Sequence, residues 1–228
     1  AATRGATVTL VTTPLERDRL RTVAGGGRVE VVPNGVDLGY WSFRPGPRNG
    51  PLVFLGNLGY PPNEAGLLWL LERVAPRLAR NRRVEIIGGG VTARLRRAAR
   101  RCPLRVVFTG FLADVRPRLW GATALVCPLP WAAGVQNKIL QGMACGAPVV
   151  ATPNVGPALG ARPGREFLAS AEPAGFASSV ERVLADPRLA SRLAQSARRL
   201  VVTRHSLAAT ECAMDAALDV LARGAGEG

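Results

Sequence analysis

Short, almost wholly apolar runs alternate along this chain with longer segments in which apolar residues recur every three or four positions. The short runs predict strands buried on both faces, and the longer segments predict amphipathic helices. Such alternation predicts an α/β fold with a doubly wound parallel sheet and right-handed crossovers. The predicted strands are Ala6 to Val11, Val29 to Val32, Leu52 to Leu55, Val84 to Ile87, Val106 to Thr109, Ala124 to Cys127 and Val149 to Ala151.

Helices are predicted in the segments between these strands. Pro76 is expected to interrupt the helix Asn63 to Arg80, because a proline inside a helix removes a hydrogen bond and clashes with the preceding turn. Ser206 is expected to cap the last helix. The other predicted helices are Pro14 to Val23, Val91 to Arg101, Val115 to Trp120 with Asp114 as its cap, and the segments from Pro173 onward that Pro187 divides. Turns are predicted at Gly25 to Gly27 and Gly88 to Gly90, and a loop at Phe43 to Pro51.

The segment Gly134 to Thr152 combines a helical period with polar chemistry. We expect Gly134 at a helix N-terminus, where unpaired N–H groups and the positive dipole end favour an anion. Such a helix can hold a phosphate at its tip and hydroxyl groups along its side, while an ordinary amphipathic helix with a solvated face is the alternative. One predicted face holds Gly134, Asn137, Lys138, Gln141 and Cys145, and the apolar face holds Val135, Ile139 and Met143.

The composition favours a folded domain and argues against several kinds of site. Apolar residues make up 47% of the 228 residues, and no run approaches the roughly 18 apolar residues of a membrane span. The four cysteines stand apart and there is one histidine, which argues against a zinc site or a disulfide framework and favours a reducing, cytoplasmic location. The start has no signal peptide and no initiating Met, so we expect a fragment.

The net charge of +14 comes almost entirely from arginine, since Lys138 is the only lysine among 30 basic residues. Attraction to anionic lipid, as in peripheral membrane contact, or to nucleic acid is one interpretation. The alternative is a codon bias that spreads arginine over solvated helix faces. Few aromatic residues accompany the arginines, so no stacking platform is expected and nucleic acid is not expected as a partner.

Several short motifs occur in a fixed order: VVPNGVD from Val31, FLGNLGYPPNEAGLLWL from Phe54, FTGFLADVRPRLWGATALVCPL from Phe108, GVQNKILQGMA from Gly134 and GREFLASAEPAGFASSVERVLADP from Gly164. In this order they resemble the C-terminal, donor-binding half of family-4 glycosyltransferases. Those proteins have a GT-B fold of two Rossmann-like domains. The sequences of these motifs are most similar to those of the exopolysaccharide, or PEP-CTERM-associated, sugar transferases of that family.

The resemblance implies a division of the chain and an activity. Residues 1–32 would be a remnant of the acceptor domain and linker, 33–204 the donor domain and 205–228 a C-terminal helix and tail. The family moves a sugar from a nucleoside diphosphate to a polysaccharide or lipid-linked acceptor, retains anomeric configuration and needs no metal or other cofactor. The partners implied are a nucleotide sugar and the missing acceptor domain. We expect the protein in the cytoplasm, at the inner membrane surface. The chain alone is expected to be inactive.

Candidate ligand-binding residues lie in loops expected beyond the carboxyl ends of the strands and on the helix that follows Gly134. The resembled proteins use an Arg and a Lys after the first strand of the donor domain, but this chain has no cation there, so Lys138, a point charge beside a helix N-terminus, is the candidate for the diphosphate. The resemblance implies Gln141 for the ribose, and no catalytic residue is identified. The diphosphate and sugar would meet Gly56, Asn57, Gly134, Val135, Gln136, Asn137 and Lys138, and the base Gly110, Phe111 and Leu112. A plain turn at Gly56, a core position for Phe111 and a solvated Lys138 are the alternatives.

One departure from the family pattern leaves other functions open. Ala133 and Gln141 stand where the resembled proteins have paired glutamates. An amide still accepts a hydrogen bond, but without charge assistance. A non-catalytic nucleotide-sugar binding module is therefore one rival, and a nucleotide-sugar 2-epimerase is another, although it would need acid–base carboxylates and histidines that this chain lacks. A basic membrane- or nucleic-acid-binding domain is the third.

Overall fold

The chain forms two parallel sheets in a computed structural model that describes residues 8–23, 28–132 and 134–225. The larger sheet has six parallel strands in the order β5-β4-β3-β6-β7-β8. Its strands are β3 (Leu52–Leu55), β4 (Arg83–Ile87), β5 (Arg105–Gly110), β6 (Ala124–Cys127), β7 (Val149–Ala151) and β8 (Leu168–Ala169). The smaller sheet pairs β1 (Val8–Val11) with β2 (Arg28–Val31), also in parallel. The predicted parallel α/β architecture is confirmed.

Helices cover both faces of the larger sheet, and two further helices, the first and the last of the described residues, contact the smaller one. The helices of the described residues are α1 (Pro14–Val23), α2 (Pro61–Trp69), α3 (Ala93–Arg101), α4 (Arg116–Gly121), α5 (Asn137–Cys145), α6 (Gly156–Leu159), α7 (Pro173–Ala185), α8 (Pro187–Arg204) and α9 (Leu207–Ala225). Successive residues of a strand point to opposite faces. Leu52 and Phe54 of β3 therefore pack with α2, α3 and α7 in one core, while Val53 packs with α5 and the end of α8 in the other. This two-sided burial explains why most strand residues are apolar.

The helix predicted from Asn63 to Arg80 is wrong in its bounds. It begins earlier, at Pro61, because prolines are tolerated in the first turn, and its α-helical part ends at Trp69. A π-helical turn (Leu70–Val74) and a 3₁₀ turn (Ala75–Arg77) follow. The wider turn, in which the N–H of Ala75 bonds to the carbonyl of Leu70, comes just before Pro76. Pro76 therefore changes the geometry of the preceding turn as well as ending the helix.

Helix α5 corrects the expected position of Gly134. Gln136 is the N-cap and Asn137 the first helical residue, whereas Gly134 lies upstream in a left-handed conformation with φ 65°. Gly134 is therefore not at the helix N-terminus. Cys145 is also fully buried, so it does not belong to the polar face. The helix ends at Gly146, whose φ of 80° is the left-handed conformation of a glycine C-cap.

The remaining differences are small or fall outside the described residues. Ala6 and the turn Gly25 to Gly27 belong to the segments that the structure does not describe. Strand β8, helix α6 and a 3₁₀ turn at Pro153–Val155 were not predicted, because elements of two to four residues are too short to show a period. Within the described ranges, no helix is both long enough and apolar enough to cross a membrane.

Candidate functional site

The four loops predicted to carry the site lie at one edge of the larger sheet. All six strands are parallel, so the loops after β3, β4, β5 and β6 leave from the same edge. From β3 the chain adds β4 and β5 on one side, then returns to place β6 on the other side of β3. The strand order thus reverses between β3 and β6, and the carboxyl edge at such a switch point is where open α/β sheets have their crevice.

Glycines allow the loops after β3, β4 and β5 to approach one another closely. The N–H of Gly56 donates to the carbonyl of Ile87 at 3.0 Å, and the N–H of Gly88 donates to that of Gly110 at 2.9 Å. A Cβ atom on Gly88 would lie 2.0 Å from the carbonyl oxygen of Gly56. The glycine run after β4, predicted only as a flexible turn, therefore forms part of a closely packed edge.

Lys138 lies in the first turn of α5, beside the end of β3. Its Nζ donates a hydrogen bond to Oδ1 of Asn63 and stands 5.3 Å from the centre of the Phe54 ring. Burial lowers the pKa of Lys138, and the nearby Cys127 thiol acts in the opposite direction. No carboxylate of the described residues forms an ion pair with Lys138, so its ammonium is held in a partly desolvated place without a counter-ion.

Asn63 connects Lys138 to the loop after β3. Its side chain is only 7% exposed, and its Nδ2 donates to the carbonyl of Asn57 at 2.8 Å. A Cβ on Gly56 would lie 2.8 Å from Nδ2 of Asn63 and 3.2 Å from Nζ of Lys138. The structure thus brings Gly56, Asn57 and Lys138 together. Asn63 was not among the predicted site residues. Its position was a usable signal, because it is an amide in the first turn of a helix that directly follows a glycine-containing loop.

The segment before α5 faces the first part of the chain. Oδ1 of Asn137 accepts a hydrogen bond from Nδ2 of Asn34 at 2.8 Å, so Asn137 is joined to the segment that follows β2. A Cβ on Gly134 would lie 3.4 Å from Oε1 of Glu16. Ala133 lies outside the described residues. Of the three residues before α5, Gly134 therefore faces the start of α1, Val135 packs against the core, and Gln136 is the N-cap of α5.

Glu16 closes the N-terminus of α1 next to Gly134. Its carboxylate accepts hydrogen bonds from the backbone N–H and hydroxyl groups of Thr12 and Thr13, and the Thr13 hydroxyl accepts from the N–H of Glu16. Burial alone would raise the pKa of Glu16, but the bonds from Thr12 and Thr13 outweigh burial and lower it. This reciprocal capping box fixes a carboxylate near Gly134, a contact that the sequence did not predict.

Gln141 and the loop after β5 are the predicted ribose and base positions. Gln141 is half-buried one turn after Lys138, and its side chain makes no hydrogen bond to another described residue. Phe111 is 84% exposed, which excludes the core position considered for it, whereas Leu112 packs against the core. Gly110 has φ 71°. Since neighbouring strands are about 4.8 Å apart, this loop stands roughly 10 Å from the end of β3.

The prediction that Asp114 caps the helix after β5 is wrong, because α4 begins one residue later than expected and its N-cap is Val115, whose side chain makes no capping hydrogen bond. Asp114 lies one residue before the N-cap. Its Oδ1 accepts the N–H of Arg116 at 2.9 Å, and both of its carboxylate oxygens bind the Arg116 guanidinium. The Arg116 hydrogen bonds are the largest cause that lowers the pKa of Asp114. Asp114 therefore serves the start of α4 and is not free to meet a ligand.

The doubly wound sheet and its crevice at the switch point define a Rossmann-like domain. Residues 50–186, more than half of the chain, match the family described as glycosyl transferases group 1. The chain therefore belongs to this family of glycosyltransferases. A comparison with curated proteins finds no match in sequence.

Solved structures share the fold at low sequence identity. Sucrose-phosphate synthase from Thermosynechococcus elongatus is 22% identical with a TM-score of 0.79, and the similarity covers 97% of this chain and 60% of that one. HepE from Anabaena, solved in complex with UDP-glucose, is 18% identical with a TM-score of 0.79, covering 96% and 65%. The C-terminal domain of a group 1 protein, LpcC, from Francisella tularensis is 18% identical with a TM-score of 0.61, covering 76% and 100%. The chain thus has the fold of one half of a GT-B protein and spans about 60–65% of the first two.

Proposed function

We propose that this chain is the donor-binding part of a glycosyltransferase that moves a sugar from a nucleoside diphosphate to a polysaccharide or lipid-linked acceptor in exopolysaccharide synthesis. The observation that carries the proposal is the Lys138 ammonium, held at the switch point with no carboxylate partner among the described residues. A cation that is partly desolvated and uncompensated is stabilised by an anionic ligand. A diphosphate is such a ligand.

We propose that the parts of a nucleotide sugar follow one another along the predicted site residues. The diphosphate lies against Lys138, the backbone of Gly56 and Asn57, and the first turn of α5. One helical turn further, Gln141 accepts from the ribose hydroxyls. The base reaches Gly110 to Leu112, whose distance of roughly 10 Å from β3 matches the span of a ribose and its phosphates. The sugar then points toward Gly134 to Gln136.

The chemistry asked of these residues is mainly electrostatic. When the bond to the sugar breaks, negative charge grows on the leaving diphosphate, and a preset cation and backbone N–H groups stabilise that charge. Lys138 supplies this cation. Family membership further supports transfer with retention and without a metal ion or other cofactor, and we include both in the proposal.

We propose that residues 33–204 form the donor domain, that 1–32 belong to an acceptor domain and linker, and that 205–228 form a C-terminal helix and tail. An acceptor domain as partner is supported by the 60–65% of the first two neighbours that the chain spans. We place the protein in the cytoplasm at the inner membrane surface, where its net charge of +14 favours anionic lipid.

Calorimetric titration with UDP and with GDP tests donor binding, and binding of at least one is expected. The Lys138→Ala variant should weaken that binding roughly tenfold, which is about 1–2 kcal/mol for a charge-assisted contact. Arg188→Ala is the matched control, because it removes one positive charge from the exposed start of α8. Failure of both nucleotides to bind at millimolar concentration would refute the donor-domain proposal, and equal affinity in Lys138→Ala would remove Lys138 from the site.

A non-catalytic nucleotide-sugar binding module is the second candidate, and Gln141 is the observation that favours it. An uncharged amide at the ribose position lowers the expected donor affinity, and no general base has been identified. The epimerase alternative gains no support, because His205, the only histidine of the sequence, is buried and its Nε2 bonds to the carbonyl of Leu159 at 3.0 Å.

A further inference from the structure

Among the described residues, Asn63 is the side chain that accepts a hydrogen bond from the Lys138 ammonium. Its Oδ1 faces Nζ of Lys138, while its Nδ2 donates to the Asn57 carbonyl at 2.8 Å. One amide therefore joins the loop after β3 to the first turn of α5. With 7% exposure it is almost fully buried, and both ends of the amide are used.

Close packing of α2 fixes Asn63 in this place. A Cβ on Gly66, one turn further along α2, would lie 2.0 Å from the carbonyl oxygen of Pro128, so α2 lies directly against the end of β6. On the other side, Gly56 leaves just enough room for the Asn63 amide. The Asn63 amide therefore lies in a closely packed place between α2 and the loop after β3, beside Lys138.

The choice of an amide at this position matters chemically. A lysine side chain is flexible and loses its charge readily when buried. A carboxylate partner would keep the charge but neutralise it, and it would repel a phosphate. An amide oxygen instead accepts from the ammonium and orients it without cancelling its charge.

We propose that Asn63 is a positioning residue for the leaving group: its amide holds the Lys138 ammonium charged and directed into the crevice, so that the diphosphate part of the ligand meets a preset cation. This inference rests on the proposed function, because it assigns Asn63 a role in the same site. Asn63 does not itself contact the donor. Its contribution should therefore appear only through Lys138 and only with ligands that carry the diphosphate.

The first test is a double-mutant cycle with nucleotide and nucleoside. Asn63→Ala should weaken the binding of UDP or GDP by about 3- to 10-fold, the size of one hydrogen bond to a charged group. The affinity for uridine or guanosine should stay within about twofold of that of the unsubstituted protein. In the Lys138→Ala background, Asn63→Ala should cause no further loss. An equal loss of nucleoside binding, or full additivity of the two substitutions, would overturn the positioning role.

The second test needs no nucleotide, because the chain has a single lysine and lysine-selective NMR reports its pKa directly. The groups that face Nζ are the Asn63 amide from α2, the Phe54 ring from β3 and the Cys127 thiol from β6. Burial raises the pKa of that thiol to about 11, so it is uncharged at neutral pH. Asn63→Ala should lower the Lys138 pKa because it removes the acceptor, and Asn63→Asp should raise it because it adds a negative charge.

Opposite shifts in these two variants are a result that a merely structural role cannot produce. Asn63→Asp should also weaken the binding of UDP or GDP, since its carboxylate competes with the phosphates for Lys138. Asn154→Ala is the matched control: that amide, at the same edge, donates to the carbonyl of Leu129 at 3.1 Å, and removing it should leave the Lys138 pKa unchanged. If the Lys138 pKa is unchanged in both Asn63 variants, the positioning role of Asn63 is refuted even if UDP binds. If the Lys138 pKa shifts but no nucleotide binds, only the proposed function is refuted.

Discussion

At the scale of single residues, the site depends on one lysine in a chain whose other basic side chains are arginines. An ammonium is a compact point charge that shifts its pKa when buried, whereas a guanidinium stays charged and occupies a wide, planar space. Beside Phe54 and Asn63 the space is narrow, since even a Cβ on Gly56 would approach both Asn63 and Lys138. This is a physical reason for lysine at this one position.

Gln141 makes a separate prediction at the same scale. Gln141→Glu should tighten nucleotide binding, because ribose hydroxyls donate hydrogen bonds and a carboxylate is a better acceptor than an amide. The gain should be about three- to tenfold, measured by calorimetry with UDP or GDP. With the 2′,3′-dideoxy nucleotide as control, the gain should vanish. The same gain with that analogue would show that Gln141 does not contact the ribose.

At the scale of elements, the close approach of α2 to β6 is the contact that assembles the site. Gly66→Ala should destabilise the protein by about 1–3 kcal/mol, because its methyl group would overlap the Pro128 carbonyl and force α2 outward. It should also weaken UDP or GDP binding, since Asn63 moves with the helix. Urea unfolding and calorimetry measure the two effects.

Gly121→Ala is the control for helix propensity. Gly121 is the last residue of α4, and nothing lies within 4 Å of a Cβ placed there. Alanine is favoured over glycine in a helix by up to about 1 kcal/mol, so this variant should be neutral or slightly more stable. If Gly66→Ala behaved in the same way, the close packing of α2 on β6 would not be what holds Asn63 beside Lys138.

Elements with a clear period or a clear breaker were predictable from the sequence. β3, β6 and β7 have the predicted bounds, as does α1, because uninterrupted apolar runs and an N-terminal proline mark them. The start of α5 was not predictable, since a glycine such as Gly134 is compatible both with the N-terminus of a helix and with a turn that precedes the helix. The Lys138–Asn63 bond was not predictable either, because it joins two helices that are distant in sequence.

At the scale of the whole molecule, the end of the chain returns to its beginning. The N–H of Val36 donates to the carbonyl of His205 at 2.7 Å, and the Thr210 hydroxyl donates to the carbonyl of Pro33 at 3.0 Å. Helix α9 also contacts β2. The C-terminal helix thus contacts both the small β1–β2 sheet and α8.

The last prediction concerns transfer itself. The chain alone should bind donor but not transfer sugar, because a two-domain transferase gains effective molarity by closing donor and acceptor between two walls. In our proposal residues 33–204 supply only one of these walls. An apolar cavity of about 500 Å³ beside Trp69, Leu129 and Trp131 lies open near the same edge, so weak self-association is expected too.

A donor-consumption assay measures sugar transfer by the chain alone, with UDP- and GDP-sugars as donors and cell-extract lipids and polysaccharides as acceptors. The expected result is consumption at the buffer rate, with and without acceptor, under conditions where calorimetry shows bound nucleotide. Lys138→Ala serves as the matched control for any residual turnover. Acceptor-dependent consumption well above the buffer rate, and lost in Lys138→Ala, would contradict the need for a second wall and would mean that this chain, alone or as a dimer, completes the site from its own residues.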